Sequence, residues 1–385
     1  MLPMELIFYA SALTIAYIYL GYPILLIVIS IWRHRLVNKG DFLPKISIII
    51  PVFNEEDQIG TKIDNCLAFD YPKEKFEIVV ASDASTDQTN DIVRSYQGTG
   101  VKLAHLKIRG GKVSAQNHAM LNIDFDSEVI VFTDVAITCE GDALRLIAEN
   151  FYDPTIGVVS CRDMIVGTSS QGVGERGYIG YDMMVRRFTS KVGSMIGVTG
   201  GFYAIKADIA RGGWNPAFPP DFYAALRTLK HGLRVVEDDR VKAYYKTAAK
   251  AWDELPRKVR TINRGMSALF AESNRSMMNP FKHGMISIQL ISHKLMRWLS
   301  PFLFLSVLVT NVALLNESLI FFILFLGQCS VYTMALATLF EYVPKRFHKP
   351  FHFAYFFLMA NAALMRAWLE FLMGKRYAKW QPTKR

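Results

Sequence analysis

Apolar positions fall into two arrangements along the chain. Between 45 and 136 they come as short runs, KISIIIPVF (45–53), FEIVVAS (76–82), VKLAHLK (101–107) and VIVFTDVA (129–136). Stretches of helical spacing separate or follow them at 57–69, 88–97, 112–122 and 141–151. Runs of this length, rich in Val and Ile and bounded by turn residues, predict buried strands. Strands alternating with helices predict a mostly parallel, doubly wound α/β sheet.

Elsewhere the apolar runs are too long to be strands. Residues 6–32 (LIFYASALTIAYIYLGYPILLIVISIW) carry no charge and exceed the roughly 20 residues needed to span a bilayer core. They predict a transmembrane helix, since neither the basic start nor the small-residue cleavage site of a signal peptide flanks them. Residues 298–315 and 318–340, separated by Asn316 and Glu317, predict a hairpin of two spans. In 351–373 Arg366 and Glu370 stand four apart, and a charge at the bilayer centre is costly, so this stretch reads either as a span or as an interfacial helix. Residues 280–297 mix apolar positions with Lys282, His283, His293, Lys294 and Arg297 and read as an interfacial helix leading into the span at 298. The resulting organisation is an N-terminal transmembrane helix within 1–35, a central domain over 44–279, the interfacial helix, C-terminal transmembrane or interfacial helices over 298–373 and a basic tail, 374–385.

Basic residues set the orientation. Arg33, His34, Arg35, Lys39 and Lys45 follow the first span, and Lys345, Arg346 and Lys349 follow the third, which places both flanks, and the central domain, in the cytoplasm. The basic tail prefers the same side, which argues against a full crossing by 351–373. An integral inner or plasma membrane protein is expected.

Composition agrees: 51% of the 385 residues are hydrophobic and 13% aromatic. The formal net charge of +10 does not point to nucleic acid, because much of the excess lies beside apolar segments, where anionic lipid headgroups attract Lys and Arg. The four cysteines, Cys66, Cys139, Cys161 and Cys329, lack metal-type spacing and read as reduced core thiols.

In an open α/β sheet, ligands bind outside the carboxyl ends of the strands. The first run ends in Pro51-Val52-Phe53-Asn54-Glu55-Glu56, the second in Ser82-Asp83 with Asp87 beyond, and the fourth in Thr133-Asp134; RGGKVSAQNHAM, with Gly110, Gly111 and Lys112, follows the third. Ser, Thr and Asp at a strand end are also ordinary turn and helix-cap residues. Three carboxylates, an amide and a lysine on one edge exceed what turns require, and suit a uracil base, a ribose, a diphosphate and a divalent cation. No G-x-G-x-x-G or G-x-x-x-x-G-K-[ST] follows the first run, which disfavours dinucleotide and P-loop folds.

IIIPVFNEE, SDASTDQT, GGKVSAQNHAM, FTDVA, TGGFYAIK (199–206) and PDFYAALRTLKHGLRVV (220–236), in this order, resemble the family 2 glycosyltransferases over about 45–270, and the flanking spans resemble that family's membrane-bound polysaccharide synthases. The resemblance implies a glycosyltransferase A-type nucleotide-sugar domain. It implies donor binding by Pro51, Val52, Asn54, Glu55, Asp83, Lys112 and Asp134, with Asp83 toward the base and Lys112 near the diphosphate. Asp87 remains the better helix cap. Asp134 matches the first acid of a D-x-D motif for Mg²⁺ or Mn²⁺; Ala136 stands where the second acid is expected, and one carboxylate with phosphate oxygens can still hold such an ion. Gly200 and Gly201 match small residues beside the acceptor path, or form a plain turn. Asp221 matches the catalytic acid, preceded here by Pro220 rather than another acid, or serves as an N-cap.

Residues 253–269 hold Arg257, Lys258, Arg260 and Arg264 in the place of the family's Q-x-x-R-W motif. Arg260 or Arg264 could supply its arginine near acceptor and diphosphate, but no Trp follows either, and a basic helix at the headgroup surface fits the same pattern. Three functions fit: an inverting transferase that moves a sugar from a UDP-sugar to a hydroxyl on a growing polysaccharide, with coupled export; a non-processive transferase acting on a lipid-linked acceptor; and a non-catalytic nucleotide-sugar-binding subunit.

Overall fold

The computed structural model describes residues 2–124, 126–166, 172–246, 255–340, 342–343 and 348–377. Lys345, Arg346, residues 253–254 and the tail from 378 lie outside them.

The four short apolar runs are strands: β1 Ile46–Val52, β2 Phe76–Ser82, β3 Val101–His105 and β4 Val129–Thr133. β5 is Thr138–Cys139, β6 Ile156–Val166, β7 Phe202–Lys206 and β8 Arg234–Lys246. They form one sheet in the order β3-β2-β1-β4-β7-β6-β8-β5. β3, β2, β1 and β4 run parallel, as the alternation of strands and helices predicts. β7 then inserts antiparallel to both β4 and β6, and β5 is antiparallel to β8, so the sheet is mixed while its other six strands run in one direction, mostly parallel as expected. β6 and helix Gly172–Val192 precede β7, so an alternation that would suggest a parallel strand leads instead into this reversal.

β1 is buried along its whole length because both sheet faces are covered. Alternation assigns its side chains to two layers: Ile49 packs with Val79, Ile130 and Phe132 on one face, while Ile46, Ile48 and Ile50 pack with Ile78, Val80, Val129 and Val131 on the other. Pro51 sits past the last β1–β4 pair, Ile49–Phe132, where its missing N–H costs no ladder bond on that side. Strand order reverses between β1 and β4, and the crevice at such a reversal is where open α/β sheets bind ligands.

Among the described residues, two helices are long and apolar enough to cross a membrane, Pro3–Trp32 and Leu319–Leu339, and a bent pair makes a third if it is one broken span. The expected span over 298–315 is not one straight helix. Met285–Trp298 and Ser300–Ala313 meet at a 56° bend, and the 14 residues after it reach only about 21 Å, short of a core of about 30 Å. The stretch 351–373 lies in helix His348–Leu372. Ala363 and Ala367 of that helix pack on Leu255 and Val259, and the Trp368 indole donates to the Trp298 carbonyl at 2.9 Å. Its charged residues are matched locally: Glu370 pairs with Arg366 and Lys375.

The first helix is fastened to the α/β domain by backbone. Arg234 donates to the carbonyls of Arg35 at 2.8 Å and Leu36 at 3.4 Å, and Lys39 pairs with the buried Asp238 at 2.7 Å.

Candidate active site

The turns after β1 and β2 brace each other. Asn54 takes the left-handed conformation, φ +52°, and its Oδ1 accepts the Thr86 N–H at 2.9 Å. Glu56 accepts the Gln88 N–H at 2.8 Å, while Asp87 accepts the N–H groups of Glu56 and Thr89, each at 3.1 Å. Glu56 and Thr89 begin the helices Glu56–Leu67 and Thr89–Ser95, so Asp87 caps two helices at once. Burial raises the Asp87 pKa, but these hydrogen bonds outweigh it and hold the carboxyl below its usual value. Glu55 moves the other way, raised first by burial and then by the charges of Asp87 and Asp134.

Asp83 is 2% exposed. Its Oδ1 accepts the Gly110 N–H at 2.7 Å and its Oδ2 the Gly111 N–H at 2.8 Å, while its own N–H donates to the Val52 carbonyl at 2.9 Å. Asp83 thus fastens the turn that launches helix Lys112–Met120. Gly111 needs to be glycine for its φ of +89°. A carboxylate has about four acceptor sites, so two N–H bonds leave lone pairs for a ligand. Pro51 and Val52 are buried beside it and contribute backbone. Arg109, which the sequence reading passes over, lays its guanidinium 3.7 Å from the Phe53 ring centre, next to this turn.

Lys112 forms an ion pair with Asp134. Beneath them lies a lysine also passed over: Lys62, 1% exposed, donates to Thr133 Oγ1 at 2.9 Å and to the Ile137 carbonyl at 2.6 Å. It grips both ends of the turn that carries Asp134, whose N–H donates to the Gly201 carbonyl at 3.0 Å. No three potential metal ligands cluster among the described residues. One strand-end carboxylate, with Asp163 and Asp221 on the walls of the same cavity, fits a cation shared with substrate phosphates rather than held in a protein cage.

That cavity, about 260 Å³, brings together Lys112, Asp134, Gly200, Gly201, Asp221, Arg260 and Arg264. Asp221 is the second residue of helix Pro220–Lys230, whose N-cap position is held by Pro219. The plain N-cap alternative therefore fails. Asp221 keeps the favourable field of a helix N-terminus. A Cβ on residue 200 would stand 3.3 Å from Asp221 Oδ2, so Gly200 makes room for the carboxylate. Arg264 is largely occupied as a strut: its guanidinium donates to the carbonyls of Pro216, at 3.1 Å, and Phe218, holding the loop that leads into Asp221. Tyr203, stacked on Phe132 at 5.3 Å, lines the cavity near Asp134 and Asp221. Burial, then the charges of Asp221 and Asp134, raise its pKa. Asp163 and Tyr203 carry no signal in the sequence, because sheet order alone brings them here.

No Trp directly follows Arg264 in the chain, yet an indole from another helix packs on the next residue. Gly265 lies so close to Trp298 that a Cβ would stand 3.2 Å from its ring. Trp298 lines a second cavity, about 340 Å³, which shares Asp221 and Arg257 with the first and lies against helix His348–Leu372.

Residues 47–211 match the family Glycosyl transferase family 2. The beta-monoglucosyldiacylglycerol synthase of Synechocystis sp. is 29% identical over 182 residues, 45% of this chain and 37% of that protein. The poly(ribitol-phosphate) beta-N-acetylglucosaminyltransferase TarS of Staphylococcus aureus is 34% identical over 113 residues, 28% of this chain and 20% of that protein. The matches thus span well under half the length of these relatives. The fold as a whole is similar to that of the mannosyltransferase PcManGT from Pyrobaculum calidifontis, solved in complex with GDP-Man and Mn²⁺: TM-score 0.73, covering 97% of this chain and 99% of that one at 22% identity.

Proposed function

Starting from a chain that carries a family 2 glycosyl transferase domain over 47–211, we propose that this protein is a membrane-embedded, inverting glycosyltransferase that moves a sugar from a nucleotide-sugar to a hydroxyl acceptor. The observation that carries the reading is the single cavity where Lys112, Asp134, Gly200 and Asp221 meet from separate segments of the chain. A binding-only subunit has no need for an uncapped carboxylate at its far wall.

The donor's nucleoside occupies the crevice of Asn54, Glu55 and Asp83, with its diphosphate toward Lys112. A sugar hydroxyl is a weak nucleophile near neutral pH, and Asp221 takes its proton as the new bond forms. The hydroxyl oxygen bonds to the anomeric carbon as the bond to the diphosphate breaks, so one displacement inverts the configuration. Lys112 and Arg260 stabilise the charge growing on the leaving nucleoside diphosphate. A Mg²⁺ or Mn²⁺ ion on Asp134 would supply further neutralisation of that charge.

The apolar helix Pro3–Trp32 and the basic residues that follow it support a site at the cytoplasmic face of the membrane. Of the two acceptors, an exported glycan and a lipid-linked sugar, the second is favoured. One wall of the cavity next to Asp221 is apolar, formed by Phe356, Ala363 and Leu364 of a C-terminal helix, which suits the chain of a lipid-linked acceptor.

The test is nucleoside diphosphate release by the purified protein in nanodiscs, across a panel of UDP- and GDP-sugars with Mg²⁺ or Mn²⁺. A UDP-sugar is the expected donor. Absence of release across the panel, with and without membrane extract as acceptor source, would remove the reading.

A further inference from the structure

We propose that Gln116 and Tyr203 read a hydroxyl of the sugar being transferred, and so decide which donor the cavity accepts. The inference rests on the glycosyltransferase reading and names what sets its donor preference.

Unmet hydrogen bonding is the first observation. Gln116 and Tyr203 are each 1% exposed, and both line the 260 Å³ cavity. Among the described residues, Gln116 Oε1 and the Tyr203 hydroxyl are buried without a hydrogen-bond partner. A buried polar group that stays unpaired is costly, and methionine or phenylalanine would occupy these places without that cost. Two such groups on one cavity wall point to a partner supplied from outside the chain.

The second observation is that the elements carrying them are tied to both sides of the cavity. Tyr203 belongs to β7, where it pairs with Phe132 of β4 and stacks on its ring, centroids 5.3 Å apart; Phe132 stands two positions before Asp134. Gln116 belongs to helix Lys112–Met120. Its neighbour Asn117 fastens that helix to the loop leading to Asp221: Oδ1 accepts the Trp214 N–H at 2.7 Å and Nδ2 donates to the Trp214 carbonyl at 2.9 Å.

Position names the ligand. Asp134 and Lys112, on the diphosphate side, and Asp221, on the acceptor side, border the same cavity. In a displacement at the anomeric carbon, what lies between the leaving diphosphate and the general base is the sugar ring. Asn54, Glu55 and Asp83, which hold the nucleoside in the same reading, lie outside this cavity's lining. The chemistry of the pair agrees. Burial, then the charges of Asp221 and Asp134, hold the Tyr203 hydroxyl protonated, so it donates. The Gln116 carbonyl accepts. A hydroxyl satisfies both, whereas a phosphate or carboxylate oxygen, which has no proton to give, would be repelled by Gln116 Oε1.

The experiment uses the full chain in nanodiscs with Mn²⁺ and calorimetry of nucleotide-sugar binding. A panel of nucleotide-sugars first finds the donor bound most tightly relative to its free nucleoside diphosphate. That donor's monodeoxy analogues, one for each sugar hydroxyl, are then titrated into wild type, Gln116→Met and Tyr203→Phe. We expect one analogue to bind the wild type at least about tenfold more weakly than the parent, the scale of one hydrogen bond lost with its buried partner left unpaired. Each variant should bind the parent donor about tenfold more weakly and no longer distinguish it from that analogue. The free nucleoside diphosphate, which lacks the sugar, should bind wild type and variants alike. Melting temperatures without nucleotide should stay level or rise, because the removed groups make no bond within the protein. A wild type that distinguishes no analogue, a variant that still distinguishes one as the wild type does, a variant that binds the free diphosphate as weakly as the donor, or a variant that melts lower would each overturn the inference. Failure of the glycosyltransferase reading shows separately, as wild-type protein that binds no nucleotide, and removes this inference with it.

Discussion

The carboxylate of Asp221 lies against Gly200, with Oδ2 3.3 Å from where a Cβ on residue 200 would be. That spacing is tighter than ordinary van der Waals contact, so any side chain at 200 displaces the carboxylate by a few tenths of an ångström. Gly200→Ala should lower turnover roughly tenfold or more, because small misplacements of a reacting group are costly. Thermal stability should hardly change. Steady-state kinetics beside a melting curve checks it; wild-type turnover in the alanine variant would show that Asp221 need not sit where it does.

Asp83 has two tasks in this structure, and its removal should show both. Asp83→Ala frees the N–H groups of Gly110 and Gly111, which it now holds at 2.7 and 2.8 Å. Leaving buried donors unpaired costs about 1–3 kcal/mol, so the melting temperature should fall. Donor KM should rise more than kcat falls, since the turn it holds presents Lys112 to the diphosphate. An unchanged donor KM would restrict Asp83 to its structural task.

The first half of the sheet is legible in the sequence because β1 to β4 are short Val- and Ile-rich runs between turn residues, although β3, at the sheet edge, keeps exposed positions. β7 is not legible. FYAIK has the composition of a strand, but its antiparallel insertion between β4 and β6 depends on pairing with distant partners. The site divides in the same way. Asp134, Lys112, Gly200 and Asp221 sit in local motifs, and the structure brings them to one cavity. Lys62 reads locally as one more polar position on an amphipathic helix, and its burial beneath Thr133 follows only from packing. Trp298 shows the complementary case: an indole absent after Arg264 in the chain arrives from a helix more than thirty residues later.

In the proposed function Asp134 is the strand-end carboxylate that shares a divalent ion with the donor's phosphates, and Lys112 pairs with it. Asp134→Ala should abolish nucleoside diphosphate release, and EDTA should do the same to the wild type, reversibly on adding Mn²⁺. Full activity in EDTA would instead leave Lys112 and Arg260 to neutralise the leaving group by themselves.

Asp238 ties the segment after the first helix to the sheet, accepting from Lys39 at 2.7 Å, Asn150 at 2.8 Å and Arg240 at 2.9 Å. Burial raises its pKa, but the hydrogen bonds from Arg240, Lys39 and Asn150 prevail and lower it to about 2. A carboxyl depressed in the folded state contributes stability that is fully present above its unfolded pKa, about 3.9, and is lost as pH falls toward 2. The contribution is on the order of 2 kcal/mol. Asp238→Asn should therefore melt below the wild type at pH 7, and the gap should narrow between about pH 4 and pH 2. A gap that stays constant over that range would mean the carboxylate's charge is not what stabilises this junction.

Asp221→Asn tests the base and the acceptor together. Asn nearly matches Asp in shape, and Asp221 is the second residue of its helix rather than its N-cap, so the variant should fold and bind donor normally. If a hydroxyl is the nucleophile, transfer should fall by roughly 10²–10⁴-fold, the usual size of a general-base contribution. A lipid phosphate oxygen is already anionic at pH 7 and needs no base, so a loss of only a few-fold would assign the nucleophile to the phosphate itself.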